Sequence, residues 1–428
     1  MPTLSQSQSL RYVTFFYLYV MQGVPSGLAL TALTNYLAAE GVTAQRLATF
    51  GAVVGLPWGF KFVWGPLVDR FQGFAMGRRR PWVLFAQVMA FLASLGLLLP
   101  ANPTQNLDPL MWAFVLHGVF ASLQDVSVDA LAITVVPAQE RGRVNALMKC
   151  GMVTGQALGA AGLALIIRYQ GFQTAAVAQS TLLLILTVLT FLIRERPEDA
   201  WISFRYTVLL AVQDGYTSFG KLLSELTKAL LARRSLVLFG AIAVVFIGER
   251  LFQRVYVLHL IQQVGWTDTS VSVLSGTYGT LAALVLALGG GWLSDRIGAQ
   301  RLLMGMALVM AGLHIGFSLS QPWWANPTVA TAELVVRQTL EPLFSIAALP
   351  VLMGVCQRTV AGAQFAFYMA LSNQADLVGI YLSGSLYGPS PAWVIGLGCG
   401  FAMLGAALAI GLFYYSPKDK VFPRESLL

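Results

Sequence analysis

Long apolar stretches separated by short polar ones run along the whole chain. Pro81 to Leu107, Leu302 to Ala332 and Leu377 to Pro417 each contain no Asp, Glu, Lys or Arg. Since about 20 apolar residues suffice for one helix to cross a bilayer, the pattern predicts membrane-spanning helices and an all-α membrane protein.

A window of about 20 residues moved along the chain predicts twelve transmembrane helices. Their predicted ranges, in chain order, are 11–38, 46–66, 82–101, 110–136, 143–168, 172–194, 235–262, 270–293, 300–320, 328–355, 362–386 and 391–415.

The polar connection from Glu195 to Arg234 divides these helices into two predicted six-helix bundles, residues 1–194 and 235–428. Within this linker, 195–234, apolar residues recur at helical spacing beside lysines and a glutamate. That spacing predicts an amphipathic helix lying on the membrane surface. Its predicted apolar face consists of Phe219, Leu222, Leu223, Leu226 and Leu230.

The composition excludes several classes of protein. Only 11% of the residues are charged and 57% are hydrophobic, whereas a soluble domain has about a quarter charged residues. The three cysteines have no metal-ligand spacing. Because nucleophile motifs and phosphate loops are also missing from the sequence, we expect neither an enzyme nor a cofactor.

The net charge of +8 reflects membrane topology. Twenty of the 27 lysines and arginines fall on the side of the predicted membrane that holds both termini. Positive residues are enriched in cytoplasmic loops, so we expect a multi-pass protein of the cell inner membrane with both termini cytoplasmic. The basic residues follow the loops and form no stripe, so we expect the lipid bilayer and no nucleic acid as partner.

A short motif occurs once in each predicted half. Gly65, Asp69 and Arg70 are followed by Arg78 and Arg79, and the spacing returns at Gly291, Asp295 and Arg296. Both copies lie at the end of the second helix of their half, as duplication predicts. We expect these residues to form a conformational gate, in which glycine permits close helix approach and aspartate pairs with basic residues nearby.

Twelve helices with this repeated motif resemble the major facilitator superfamily over essentially the whole chain. Three stretches are similar to its AmpG-type muropeptide permeases, whose relatives include siderophore importers and acetyl-CoA transporters. They are Phe60 to Arg70 running into Gly77 to Arg80, Gln124 to Ala130 running into Pro137 to Gly142, and Ala363 to Ala366 with Ala370 to Ser372. The resemblance implies two rocking halves around a cavity lined by helices 1, 4, 7 and 10.

Ionisable residues within predicted helices are expensive to insert and indicate functional sites. Asp125 and Asp129 are four residues apart and share one face of helix 4. We predict that they carry a coupling proton together with Glu249, with Lys149 as a candidate cation beside them. The alternative is a structural polar cluster that ties helices 4 and 5 together.

A second set of residues indicates the solute. Guanidinium groups form bidentate hydrogen bonds to carboxylates and phosphates, so we predict that Arg254 and Arg337 bind an anionic solute. The alternative for Arg337 is internal neutralisation by Glu333 or Glu341. The full predicted substrate-binding set is Arg254, Arg337, Glu341, Lys149, Tyr17 and Gln22.

Together these features predict a monomeric secondary transporter that imports a bulky anionic solute with protons by alternating access, such as a muropeptide or a siderophore. Two alternatives remain at this point: an exporter of a drug-like or metabolic solute, and a membrane assembly factor that transports nothing.

Overall fold

The computed structural model describes residues 3–71, 74–100, 102–137, 140–203, 219–356 and 361–415. Its long helices are α1 Gln8–Ala39, α2 Ala44–Gly59, α3 Arg80–Leu98, α4 Leu107–Val135, α5 Arg143–Gln170, α6 Phe172–Phe191, α7 Arg233–Val264, α8 from Asp268–Val273 through Leu274–Gly279 to Thr280–Ile297, α9 Ala299–Leu319, α10 Pro327–Gly354, α11 Ala361–Leu386 and α12 Ala392–Tyr415. The linker helix is Phe219–Leu231, as predicted, although the side chains of 219–223 lie outside the described set.

Ten of these helices are long and apolar enough to cross a membrane, counted over the described residues. The two other predicted spans, α2 and α11, are helical but fall outside that count. Pro57 lies inside α2, which stops at Gly59 and has only 16 residues, too few for that count. In α11, a polar run from Ser372 to Asp376 interrupts the apolar sequence.

The closest helix contact on the N-terminal side joins α1 to α5 through glycines. A Cβ atom on Gly155 would lie 2.3 Å from the carbonyl oxygen of Val20, and one on Gly23 would lie 2.3 Å from that of Met152. At such distances Gly23 and Gly155 have no room for a side chain larger than a hydrogen atom. The two backbones therefore touch directly, which is how small residues promote helix association in membranes.

A different kind of contact joins α2 to α11. Cβ atoms on Gly51, Gly55 and Gly59 would meet the side chains of Ile380, Leu377 and Gln374, respectively. The amide of Asn373 also donates to the backbone carbonyl of Trp58 over 3.2 Å. Side-chain ends lie against backbone at these three glycines, whereas at Gly384 of α11 a Cβ atom would lie 2.9 Å from the carbonyl oxygen of Ala44, so the backbones approach directly only at that end.

Polar contacts also join the end of α1 to α7 and α8. Asn35 Nδ2 donates to Ser272 Oγ over 2.9 Å. Gln262 Nε2 donates to the carbonyl oxygens of Ala38 and Val42, each over 3.2 Å. All these contacts lie at the end of the bundle that holds the loop between α1 and α2, so polar side chains join the two parts of the chain there.

At the opposite end, Glu195 caps the start of α3. Its carboxylate accepts backbone N–H groups from Arg78 over 3.2 Å, from Arg79 over 2.7 Å and from Arg80. A Cβ atom on Gly77 would lie 2.8 Å from this carboxylate, and Gly77 has a φ of +116°. Glycine is therefore needed at this turn both for its backbone conformation and for the approach of Glu195.

Replacing Glu195 with Gln is expected to lower the free energy of unfolding by about 1–3 kcal/mol, because buried N–H groups lose an acceptor. Burial raises the pKa of Glu195 above its usual 4.5, a shift opposed by the backbone hydrogen bonds and reinforced by Asp199. The folded state thus holds this proton more tightly than the unfolded state. Stability should fall as the pH rises from 4.5 through the raised pKa.

Thermal unfolding of purified protein in detergent, followed across that pH range, measures both effects. Glu198→Gln is the matched control because Glu198 is exposed three residues away. Equal unfolding midpoints for the two variants, with equal pH slopes, would contradict the capping role of Glu195.

Candidate functional site

Two carboxylates of α4 have different partners. Asp125 Oδ2 lies 3.0 Å from Lys61 Nζ, and Asp125 is only 5% exposed. Asp129 is exposed and accepts a hydrogen bond from the hydroxyl of Tyr19 on α1. Among the described residues Asp129 takes part in no ion pair. One carboxylate is therefore held as an anion by a cation, while its neighbour one turn away faces a neutral donor.

The cation beside Asp125 differs from the predicted one. Lys149 is exposed on α5 and forms no ion pair with any described residue, so it is not the cation that pairs with Asp125. Lys61 takes its place because α2 ends at Gly59 and a 3-10 turn, Lys61–Val63, follows. The break after Pro57 could have signalled this turn towards α4.

Arg337 lies in a buried ion cluster and not on an open surface. Its Nη1 donates to Glu249 Oε1 over 3.2 Å, and its Nη2 contacts Glu333. His314 Nε2 lies 3.1 Å from the same Nη1, and Arg337 is 3% exposed. These contacts favour internal neutralisation, with Glu333 and not Glu341 as the helix neighbour. The predicted solute contact of Arg337 is thus at odds with its burial.

A second cluster surrounds Arg250 on α7. Arg250 Nη2 contacts Glu341 of α10 and lies 3.4 Å from Asp376 Oδ2 of α11. Its Nη1 donates to Gln253 Oε1 over 2.9 Å. The three charged side chains are each partly exposed. Glu341, predicted to bind solute, is therefore paired with a cation that joins three helices.

Arg254 lies one turn beyond Arg250 and has a different environment. Its Nη1 donates to Thr34 Oγ1 of α1 over 3.3 Å. No carboxylate of the described chain lies within ion-pair distance of it. Arg254 lines a small, partly open cavity together with Thr34, Asn35, Val257, Ile380 and Ser383. It is thus a cation without a counter-charge in a cavity between α1, α2, α7 and α11.

The two remaining predicted solute contacts on α1 lie elsewhere. The Tyr17 hydroxyl lies 3.2 Å from Thr190 Oγ1 of α6, so Tyr17 is directed into the N-terminal bundle and away from the cavity around Arg254. Gln22 is 3% exposed, and its amide has no hydrogen-bond partner within the described residues. Neither side chain lines the cavity that contains Arg254.

The predicted gate is described only in part. Asp69 and Arg70 end a short helix, Trp64–Arg70, but their side chains lie outside the described set, as do Gly291 and Asp295. Arg296 is exposed at the end of α8. A Cβ atom on Gly65 would meet no described atom within 4 Å, so the described part of the chain has no close helix approach at this glycine.

The backbone of the arginines that follow the first motif binds a residue of the linker, while the predicted pairing of Asp69 lies outside the described side chains. Both Arg78 and Arg79 use their backbone N–H groups to bind Glu195. Arg79 Nη1 also donates to the carbonyl of Val68 over 3.0 Å. Glu195, which the sequence analysis did not single out, is the partner of this loop.

Helices that cross the membrane, buried ion clusters and a cavity at the meeting point of the two parts define a membrane transporter. The family model described as Major Facilitator Superfamily matches residues 12–373. The chain belongs to this superfamily, which confirms the fold class predicted from the sequence.

Curated relatives indicate which branch of the superfamily the chain resembles. The anhydromuropeptide permease of Escherichia coli strain K12 is 27% identical over 359 residues, which cover 82% of this chain and 69% of the relative. A protein of Rickettsia felis named as an AmpG transporter is 22% identical over 391 residues, covering 88% and 90% of the two chains. The resemblance to AmpG-type proteins is thus confirmed.

Solved structures show the same fold at low sequence identity. The nucleoside transporter NupG matches with a TM-score of 0.69 at 13% identity and covers 95% of this chain and 99% of its own. A POT family transporter in complex with 5-aminolevulinic acid matches with a TM-score of 0.70 at 13% identity, covering 96% and 97%. These likenesses show that the chain has the same fold as both structures.

Proposed function

We propose that this transporter imports a bulky anionic organic solute together with protons across the inner membrane, by rocking of two six-helix halves, 1–194 and 235–428. The relative named as an anhydromuropeptide permease supports a muropeptide-type solute, with a siderophore as the other bulky anionic candidate. The basic loops support cytoplasmic termini, and a single copy of the chain suffices for the mechanism.

The observation that carries proton coupling is the unequal pair on α4. Lys61 neutralises Asp125, whereas Asp129 is exposed and bonded to a tyrosine hydroxyl. Two carboxylates one turn apart repel each other, so protonation of one of them is favoured. Asp129, which has no cation in contact, is the group that takes up the proton. Tyr19 links its protonation state to α1.

Anion recognition rests on Arg254. An arginine without a carboxylate partner in a cavity between transmembrane helices is costly unless a counter-ion binds there. A carboxylate or phosphate of the solute would supply that counter-charge through paired N–H donors. The contacts of Asn35 and Gln262 close the bundle beside Arg254. With cytoplasmic termini this closed end faces outwards, and the solute is released inwards.

An Asp129→Asn variant tests proton coupling. In inside-out and right-side-out vesicles carrying an imposed pH gradient, wild-type protein should accumulate labelled anhydromuropeptide with the proton flow. The variant should lose this dependence on the gradient, because asparagine does not take up a proton, while exchange of solute at equal pH continues.

Asp108→Asn is the control, since Asp108 lies in the first turn of the same helix, away from the Asp125 pair. Accumulation by Asp129→Asn at the wild-type level would remove Asp129 from the mechanism. Accumulation against the proton flow would instead identify an exporter.

A further inference from the structure

The buried cluster of Glu249, His314, Glu333 and Arg337 has unequal numbers of opposite charges. Two carboxylates face one guanidinium, and the side chains are between 0% and 9% exposed. If both glutamates are ionised and the histidine is neutral, the cluster has one excess negative charge. An uncompensated charge at this depth costs several kcal/mol, so binding of one proton would stabilise the cluster.

The hydrogen bonds of His314 fix which ring nitrogen carries its hydrogen. Nδ1 lies 2.8 Å from the carbonyl oxygen of Met310, which only accepts, so Nδ1 is the donor. Nε2 lies 3.1 Å from Nη1 of Arg337, which only donates, so Nε2 is the acceptor. His314 is therefore neutral, and the extra proton is not on its ring.

Glu249 offers the remaining position for the proton. Its Oε1 accepts from Arg337, whereas its Oε2 is buried with no hydrogen-bond partner in the described chain. This Oε2 lies 3.4 Å from Nε2 of His314. A hydrogen on Oε2 would point towards this ring nitrogen, whose single lone pair it would share with Nη1 of Arg337. Glu333, by contrast, is in direct contact with the second guanidinium nitrogen of Arg337, which favours its ionised form.

The other titratable groups around the cluster do not supply the missing charge. Arg250 and Glu341 act on Glu249 with opposite signs and contact each other. From α12, Cys399 interacts electrostatically with Arg337 and Glu249, and the Tyr256 hydroxyl on α7 interacts with Arg337. Both of these groups are neutral in their protonated forms.

We propose that Oε2 of Glu249 binds one proton that faces Nε2 of His314, and that His314 is the positioning residue of this second proton site. The site belongs to α7, α9 and α10, whereas Asp129 belongs to α4. This proposal rests on the proposed function only in that Glu249 serves transport. The proton bound to Glu249 requires neither a solute nor a proton gradient.

Infrared difference spectra of purified protein in detergent at neutral pH measure this proton. Subtracting the spectrum of Glu249→Gln from that of the wild type should reveal the carbonyl stretch of one protonated carboxyl group. His314→Phe should shift that band, because the acceptor of the proton is lost. Glu333→Gln should abolish it, because the cluster becomes neutral without a bound proton and Glu249 ionises.

His117→Phe is the matched control. His117 is buried on α4 and its Nδ1 bonds the Ala90 carbonyl over 2.9 Å, but no ion pair joins it to any described residue. The carboxyl band should be unchanged in this variant. The proposal would be overturned if the Glu249→Gln difference spectrum contained no such band. A band left unshifted by His314→Phe and undiminished by Glu333→Gln would do the same.

Two outcomes separate this site from the proposed function. If Asp129→Asn keeps gradient-driven uptake while the Glu249 band is present, the proposed coupling through Asp129 fails and the proton site stands. If Asp129→Asn loses coupling and the band is missing from the wild type, the coupling stands and the second site fails. Should His314→Phe not fold, Glu249→Gln and Glu333→Gln still give the decisive spectra.

Discussion

An Arg254→Gln variant should bind an anionic solute about 100-fold more weakly than the wild type. The guanidinium of Arg254 is the cation without a carboxylate partner in the cavity between α1, α2, α7 and α11. Hydrogen bonds to charged groups contribute about 1.5–3 kcal/mol each, and about 1.4 kcal/mol corresponds to a tenfold change in affinity. At the lower end of this range, two such bonds lost to one solute anion correspond to about 3 kcal/mol, which is the expected loss of about 100-fold. Arg254→Lys, which keeps the charge but not the paired donors, should be intermediate.

Binding of anhydromuropeptide to purified protein, followed through the rise in unfolding temperature that a bound solute produces, measures the effect. Arg168→Gln is the control for lost positive charge, because Arg168 is exposed at the end of α5. Wild-type affinity in Arg254→Gln would exclude Arg254 as the anion ligand. A loss of equal size in Arg168→Gln would show a general charge effect instead.

A Gly155→Ala variant should be less stable than the wild type by about 1–3 kcal/mol, the range expected for overpacking of a filled interface. The new methyl group would lie 2.3 Å from the Val20 carbonyl oxygen and 2.9 Å from Cα of Gly23. Backbone atoms do not move aside as side chains do, so α1 and α5 must separate. Gly155→Leu should abolish folded protein altogether.

Gly162→Ala is the matched control in the same helix, since a Cβ atom on Gly162 would meet nothing within 4 Å. It should change stability by no more than about 1 kcal/mol. Unfolding midpoints and size-exclusion profiles in detergent distinguish the two variants. Equal behaviour of Gly155→Ala and Gly162→Ala would contradict direct backbone contact between α1 and α5.

The positions of the helices were predictable because hydropathy responds directly to the bilayer. The predicted range 328–355 became Pro327–Gly354, and 362–386 became Ala361–Leu386. Breaks within helices were harder to predict. The early end of α2 depends on Pro57 together with Gly59, and many proline-containing helices continue, as α1 does through Pro25.

The sequence predicted which charged residues belong to the candidate site, but not which of them pair with each other. Hydropathy alone identified the buried charges of α4, α7 and α10, including Asp125, Arg254 and Arg337. Which cation meets which carboxylate depends on helix rotation and on the path of the chain after α2. For that reason Lys61 replaced Lys149 beside Asp125, and His314 and Tyr19 were missed as partners. A histidine or a tyrosine in an apolar helix gives no sequence signal until its neighbours are known.

The two glycine-lined interfaces set different limits on any motion of the bundle. Along α1 and α5 the main chains interlock, so a shift of even one ångström would drive a carbonyl into a neighbouring Cα, as at Gly155 and Val20. Along α2 and α11 the glycines of α2 meet the ends of Leu377 and Gln374, which can change rotamer, but Gly384 of α11 lies against the backbone of α2 at Ala44 and Gln45. The first pair must therefore move as a rigid body, whereas the second pair can adjust by exchanging side-chain conformations only at the end away from Gly384.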